Sequence, residues 1–331
     1  MAPATLTMTD STRRLLVELD RFFAGRGVQA FVVGGFVRDA LMGRDCHDID
    51  VSFAGDPLEV GRDLAEAFGG HFFPLAEEQH VARVLLPERD VHIDLMPMRA
   101  KIEADLTERD FTIDAMAVPL AEAASGKAVV IDPAGGQADL RRRLVRVVAE
   151  EAFLADPLRP LRGVRLAVEL EFAIDPATAG LIREHAQRLP KASVERQRDE
   201  LMRIMATARA GEGLRLLDDL SLLEQLLPEV TETRGVEQPK EHYWDVLGHS
   251  LEAVRNLDIL LAEEEPGDRH WRTLWRELWG QLAWWQDARR YFREELLPER
   301  PRAAVLKLAG LLHDIAKPET KTFDDTGRMR F

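Results

Sequence analysis

Cysteine is almost missing from this chain: Cys46 is the only one in 331 residues. A single thiol closes no intramolecular disulfide, which fits a reducing cytoplasm. Long apolar runs are missing as well. No stretch approaches the roughly 20 residues of a membrane-spanning helix. The opening segment, Met-Ala-Pro-Ala-Thr-Leu-Thr-Met-Thr-Asp, lacks the charged and apolar regions of a signal peptide. The expectation is a soluble, cytoplasmic protein with no membrane partner. There is no internal repeat and no low-complexity tract. Acidic residues outnumber basic ones, 58 to 44. A formal net charge of −14 argues mildly against a nucleic-acid binder, although net charge does not locate a patch.

What is present suits a globular protein of two or three domains, with 46% hydrophobic and 31% charged residues. Residues 10–25 carry a helical stripe of Leu15, Leu16, Leu19, Phe22 and Phe23. A short apolar strand, 29–33, runs into Gly34-Gly35. Helix 36–42 and strand 49–53 follow, then helix 58–68 and strand-like runs at 71–75, 81–86 and 91–96. Short strands are expected at 115–120 and 128–131. After about residue 150 strand signals vanish and helical periodicity dominates, with Asp175-Pro176 a good helix start. All six tryptophans lie between Trp244 and Trp285. Trp271, Trp275 and Trp279 share one helix face, either as a packing seam or as a surface for a partner or RNA. Between Arg141 and Arg165 seven arginines face three acids, which makes a basic island or a solvated helix face.

The chemistry concentrates in residues 34–53. A Gly-Gly turn leading into a helix N-terminus offers backbone N–H groups to phosphate. Asp48 and Asp50, two apart on a strand, point to the same face. Such pairs are often caps or surface carboxylates, but these sit on an apolar strand, where an unpaired charge is costly. Asp94 stands on the polar face of another alternating strand. Three such carboxylates would suit two magnesium ions and an in-line displacement.

Residues 31–53 resemble the first motif of class II CCA-adding tRNA nucleotidyltransferases and bacterial poly(A) polymerases, in the DNA polymerase beta-like superfamily. The resemblance continues in order. Glu108-Arg109-Asp110-Phe111-Thr112-Ile113-Asp114-Ala115 is similar to the second motif, and Asp132-Pro133-Ala134-Gly135-Gly136 with Asp139-Leu140 to the third. Ala155-Asp156-Pro157-Leu158-Arg159-Pro160-Leu161-Arg162 resembles the fourth, and Ser193-Val194-Glu195-Arg196 with Glu200-Leu201 the fifth.

The resemblance implies an α+β nucleotidyltransferase head at 1–148, with a mixed sheet. An all-α neck at 149–228 and a helical HD-like body at 229–331 would follow. It implies that Asp48 and Asp50 bind catalytic Mg2+, with Asp94 as the third carboxylate. Gly34, Gly35 and Arg38 would hold the triphosphate, and Arg109 and Asp110 the ribose. Asp156 and Arg159, three apart on one helix, would read the base, although Asp156 before Pro157 also suits a helix cap. Arg162 and Arg165 would continue that face toward phosphate or RNA. The implied activity is template-independent addition of C and/or A to a tRNA 3′ end from CTP or ATP. The alternative within the family is a poly(A) polymerase.

Departures from the pattern are Glu108 for arginine, Asp114 for asparagine and Ala155 for an acid. The short 100–109 segment is associated in the family with enzymes adding only two cytidines, and it occurs in other subgroups too.

Leu311-Leu312-His313-Asp314-Ile315-Ala316-Lys317-Pro318 resembles the motif of HD-domain phosphohydrolases. His313 and Asp314, with His249 as the earlier histidine (His242 a weaker candidate), would hold a second divalent metal. Asp324 and Asp325 make poor later ligands, and the ending suggests a truncated HD region. A third reading is therefore a metal phosphohydrolase with a vestigial head. Oligomeric state is not readable from this sequence.

Overall fold

The computed structural model describes residues 3–44, 46–76, 80–238, 243–262, 264–281, 284–297 and 300–331. The chain divides into two compact units, residues 1–152 and 153–331. No helix among the described residues is long and apolar enough to cross a membrane.

The first unit is built on a six-stranded sheet. Its strands are β1 (Ala30–Val33), β2 (Asp48–Phe53), β3 (His71–Ala76), β4 (Val81–Leu86), β5 (Val91–Pro97) and β6 (Ala117–Pro119). Their spatial order is β3-β4-β5-β2-β1-β6. Every pairing is antiparallel except β2 with β5, which is parallel. The strands expected at 115–120 and 128–131 are shorter in the structure. They form β6 and a two-residue strand, Lys127–Ala128, with an isolated bridge between Ala117 and Ile131.

Alternation decides which face is buried. Ile49, Val51 and Phe53 of β2 and Ile93 and Leu95 of β5 are sealed from solvent. They pack with Val84, with Leu15, Leu16, Leu19 and Phe23 of α1 (Asp10–Ala24), and with Leu64 of α3 (Pro57–Phe68). Because side chains alternate, burying these residues forces Asp48, Asp50 and Asp94 onto the opposite face. Between β1 and β2 lies α2 (Gly35–Met42), whose Phe36 and Val37 join the same core. Truncating a sealed side chain such as Phe53 to alanine costs about 3–5 kcal/mol in cores of this kind.

The second unit is mainly helical. It includes α5 (Arg159–Leu170), α6 (Val194–Ala206), α7 (Ala210–Asp219), α8 (Val246–Leu261), α9 (Arg269–Gln281) and α10 (Arg302–Leu312), while α4 (Gly136–Arg142) belongs to the first unit. Asp175 caps the helix that Pro176 begins, accepting from the Thr178 N–H. Two small hairpins stand among the helices, Glu295–Leu297 with Arg300–Pro301 and Thr322–Phe323 with Met329–Arg330. Asp324 occupies the turn of the second and accepts from Thr326 and Arg328. On α9, Trp271 and Trp275 are half-buried, and the Trp279 side chain lies outside the described ones.

Two cations are buried here. Arg165, expected to face phosphate, is instead 5% exposed and inside the unit. Its guanidinium pairs with Glu169 one turn on and with Glu200 of α6 at 2.6 Å. The reason is position: Arg165 falls among Leu161, Val164, Leu166 and Val168 on a helix buried along most of its length. Lys307 of α10 is 3% exposed. Its Nζ lies 2.7 Å from Asp258 Oδ1 and donates to the Thr207 carbonyl at 2.5 Å. The other Asp258 oxygen accepts from the Gly211 N–H at 2.8 Å. Burial pushes the Asp258 carboxyl up against the pull of Lys307.

Removing one member of such a pair strands the other charge. Lys307→Met is expected to cost about 3–5 kcal/mol of the helical unit's stability, and Lys307→Met with Asp258→Leu much less. Urea denaturation of the two variants checks both, and equal losses would contradict the pairing account.

Candidate active site

The head's polar site begins where β1 ends. Gly34 sits at φ 67° and ψ −133°, a backbone region essentially closed to other residues. A Cβ placed there would lie 2.6 Å from Arg109 Nη1 and 3.0 Å from Asp50 Oδ2. Gly34 is therefore required both by the turn and by the approach of these two groups. The chain then enters α2, so the turn, the helix N-terminus, Asp50 and the Arg109 guanidinium converge.

The strand register arranges the carboxylates. Parallel pairing sets Asp48 beside His92 and Asp50 beside Asp94. His92 Nδ1 lies 3.2 Å from Asp48 Oδ1. Antiparallel pairing of β4 with β5 sets Arg83 opposite Asp94. Arg83 takes both Asp94 oxygens, through Nε at 2.7 Å and Nη2 at 2.8 Å. This hydrogen bonding raises the arginine's pKa further. Among the described residues, the only three acidic, His or Cys groups with all ligand atoms within 4.8 Å are His249, His313 and Asp314. The structure thus aligns Asp94 with Asp50 but does not gather Asp48, Asp50 and Asp94 into one tight trio, because Arg83 holds Asp94. As hard oxygen donors on one strand face, Asp48 and Asp50 fit a divalent ion of the magnesium kind.

Arg38 lies against the Gly34-Gly35 turn, its Nη2 3.5 Å from where a Cβ on Gly35 would stand. Its Nε and Nη2 donate to Asp39 at 2.9 Å each and its Nη1 to Asp114 at 2.6 Å, with 12% of the side chain exposed. Asp114, where the family pattern has asparagine, thereby supplies a buried countercharge. Asp110 is 6% exposed and accepts from the Phe111 N–H at 3.0 Å, which leaves Arg109 as the member of that motif on the site.

The third motif braces the second. Asp132 accepts from the first N–H groups of α4, and a Cβ on Gly136 would strike the Thr112 carbonyl at 2.1 Å. Asp139 accepts from the Thr112 hydroxyl and pairs with Arg146. Arg141, Arg142 and Arg143 are exposed.

In the helical unit, Asp156, Leu158, Arg159, Arg162, Arg196, Asp199 and Glu200 line a cleft of about 240 Å³. Asp156 does not share a helix with Arg159. It stands in the break between helix Glu151–Ala155 and α5, because a residue before proline avoids helical backbone. Its Oδ1 accepts from the Leu158 N–H at 3.0 Å, closing a local turn, while the cap position of α5 is Leu158 itself and carries no side-chain cap. Arg196 holds the carboxylate, at 3.3 Å to Oδ1 and 2.6 Å to Oδ2.

Further along, His249 of α8 meets His313 and Asp314 at the end of α10. The two Nε2 atoms are 3.2 Å apart, and Asp314 Oδ2 lies 3.1 Å from His313 and 3.6 Å from His249. His313 Nδ1 faces the Gly310 carbonyl at 2.8 Å, which turns Nε2 toward the trio as a lone-pair donor. Lys317 Nζ lies 2.6 Å from the same Asp314 oxygen. His242 lies outside the described residues.

Sequence reasoning gave no role to Arg83, Arg196 or Lys317. Alternation in β4, with Ala82, Val84 and Leu86 buried, puts Arg83 on the polar face, but only the strand register reveals its partner.

Comparison with known proteins places the chain in a family. A model of the poly A polymerase head domain matches residues 30–146. A model described as the probable RNA and SrmB-binding site of polymerase A matches residues 171–233. Together they span more than half of the chain. The chain belongs to the tRNA nucleotidyltransferase and poly(A) polymerase family. Among relatives of this family, an A-adding tRNA nucleotidyltransferase of Deinococcus radiodurans is 36% identical over 309 residues, covering 91% of this chain and 60% of the relative. A CC-adding enzyme of Thermus thermophilus is 36% identical over 308 residues, with the same coverage. The chain thus spans about 60% of the length of these two nucleotidyltransferases. In fold, it is similar to a Thermotoga maritima CCA-adding enzyme solved with tRNA, with a TM-score of 0.62 and 24% identity, covering 97% of this chain and 77% of that one.

The Arg196 clasp on Asp156 has a titration consequence. Burial opposes ionisation of Asp156, but the Arg196 hydrogen bonds and the Leu158 N–H outweigh it and hold the carboxyl below its usual value. The ionised clasp is therefore stabilising above the ordinary aspartate range and is lost as pH falls through the lowered value. In Arg196→Met the burial effect is left less opposed, so the Asp156 carboxyl signal in an NMR pH titration is expected to move upward. A titration unchanged from wild type would contradict the clasp.

Proposed function

We propose that this protein adds C and/or A nucleotides to the 3′ end of tRNA by divalent-metal-dependent nucleotidyl transfer from CTP or ATP. The observation that carries this is the convergence of Asp50, the Gly34 turn and Arg109, with Asp48 on the same strand face. In the reaction the RNA 3′-hydroxyl oxygen bonds to the α-phosphorus, the α–β phosphoanhydride bond breaks and pyrophosphate leaves. A divalent ion such as Mg2+ on Asp48 and Asp50 supplies charge neutralisation and a more nucleophilic hydroxyl.

The chain's own residues do the positioning. The start of α2 presents backbone N–H groups to the triphosphate. Arg109 adds a fork of donors beside it, and Arg38 stands at the same turn with Asp39 and Asp114 as countercharges, in reach of a triphosphate held there. Asp110 fixes the Phe111 backbone next to Arg109. In the helical unit, the Asp156 and Arg159 cleft offers acceptors and donors to a base edge, with Arg162 on its rim. The exposed Arg141, Arg142 and Arg143 suit RNA phosphates, which makes binding salt-dependent. The relatives named A-adding and CC-adding support the tRNA reading over poly(A) synthesis.

Labelled CTP and ATP, supplied singly and together with tRNA lacking its CCA end, test this. A few added nucleotides are expected, and a long adenosine tail would instead select poly(A) polymerase. Asp48→Ala and Asp50→Ala are each expected to lose a factor of roughly 10³ or more in rate. Incorporation by either variant at the wild-type rate would overturn the reading.

The His249, His313 and Asp314 trio favours a second, separate reading for the helical unit. We propose that it holds one divalent ion, since two imidazole nitrogens and a carboxylate oxygen lie within 4.8 Å of one another. Lys317 competes for the carboxylate. In a chain carrying Asp48→Ala and Asp50→Ala, one equivalent of manganese or zinc is expected to bind by calorimetry and to be lost with His313→Ala. Equal binding by the two chains contradicts the site. Metal-dependent phosphate release that survives Asp50→Ala would extend it to phosphohydrolysis.

A further inference from the structure

Across the head's sheet three side chains stand in one row, Arg83 on β4, Asp94 on β5 and Asp50 on β2, each opposite the next in the strand register. Adjacent strands are about 4.8 Å apart, so the guanidinium lies within two strand spacings of the Asp48 and Asp50 pair. Both oxygens of Asp94 are taken by the arginine fork. Asp94 is one-fifth exposed and Arg83 one-third, so solvent only partly screens their attraction.

We propose that Arg83 is a positioning residue that withholds Asp94 from the metal-binding pair and so keeps the head's affinity for a bare divalent ion low. The inference rests on the proposed metal role of Asp48 and Asp50. Three ionised carboxylates in a row attract a free cation strongly. With Arg83 in the row, one carboxylate is neutralised and its lone pairs are directed away from the ion. A divalent cation then gains most when a triphosphate arrives with it, adding the oxygens that Asp94 does not give. Arg83 thus ties metal loading to nucleotide binding. The bidentate geometry matters here, because a planar fork occupies both carboxylate oxygens at once and a single ammonium does not.

The test measures Mn2+ binding to the full chain by the loss of the free-ion electron paramagnetic resonance signal. His313→Ala is carried in every protein, so that the helical unit's trio does not contribute. Without nucleotide, Arg83→Met is expected to bind Mn2+ about tenfold more tightly than its parent, in line with one unit charge removed at this range. Adding Asp94→Asn to it is expected to cancel the gain. If Arg83→Met melts well below its parent, Arg83→Gln is measured in its place. Affinity equal to or weaker than the parent's in a folded Arg83 variant overturns the proposal and makes the pair a strand brace. If the parent and its Asp50→Asn variant bind Mn2+ equally, the metal role of the head itself fails, which is a different result.

Discussion

The parallel pairing of β2 with β5 is the constraint on which the chemistry of the head depends. It is the one parallel contact in an otherwise antiparallel sheet, and its register places Asp50 beside Asp94. A shift by one residue would exchange the faces of β2, sending Asp48 and Asp50 into the core and Ile49, Val51 and Phe53 into solvent. Those three residues are sealed under α1, so their burial is what holds the carboxylates outward. Catalytic geometry here is a by-product of hydrophobic alternation.

Charge is then distributed locally rather than globally. The chain is strongly acidic, yet three of its carboxylates have a guanidinium partner: Asp94 has Arg83, Asp114 has Arg38, and Asp156 has Arg196. These pairs are partly or largely shielded, where a lone charge would be costly. The substitution of aspartate for asparagine at 114 makes sense in these terms. It adds a charge that Arg38 balances at 2.6 Å.

Much of the head was legible in the sequence, because its signals are local. The helix at 10–24, the strand at 48–53 and the Gly-Gly turn all follow from periodicity and from residues with special backbone needs. The position of Asp48 and Asp50 on one face followed too. Pairing partners were not legible, since strand order and register are long-range facts. Arg83 is eleven residues from Asp94 in the chain, and no periodic rule joins them. The helical unit misled in a different way. Arg165 looked like part of a basic face because charge suggests exposure, whereas its neighbours Val164 and Leu166 fix it in the interior with two glutamates. The three-residue spacing of Asp156 and Arg159 suggests one helix, but Pro157 breaks the chain between them, whereas Pro160 sits in the first turn of α5.

The helical cleft carries a stronger distinction than its arginines alone suggest. Arg159, Arg162 and Arg196 line it together with Asp156, Asp199 and Glu200, so cations and anions are balanced. A phosphate site needs an excess of positive charge and gains nothing from carboxylates, which repel the ligand. A base edge needs donors and acceptors side by side, because each base presents a mixture of the two. The cleft's volume of about 240 Å³ also suits a flat heterocycle better than a whole nucleotide. For the proposed base-reading role, balanced charge in a small cleft is what selection by hydrogen bonding requires. It also explains why Asp156 is clasped by Arg196. In the proposed base-reading role a carboxylate is useful only if its oxygens are held in one orientation, and Arg196 together with the Leu158 N–H holds those of Asp156.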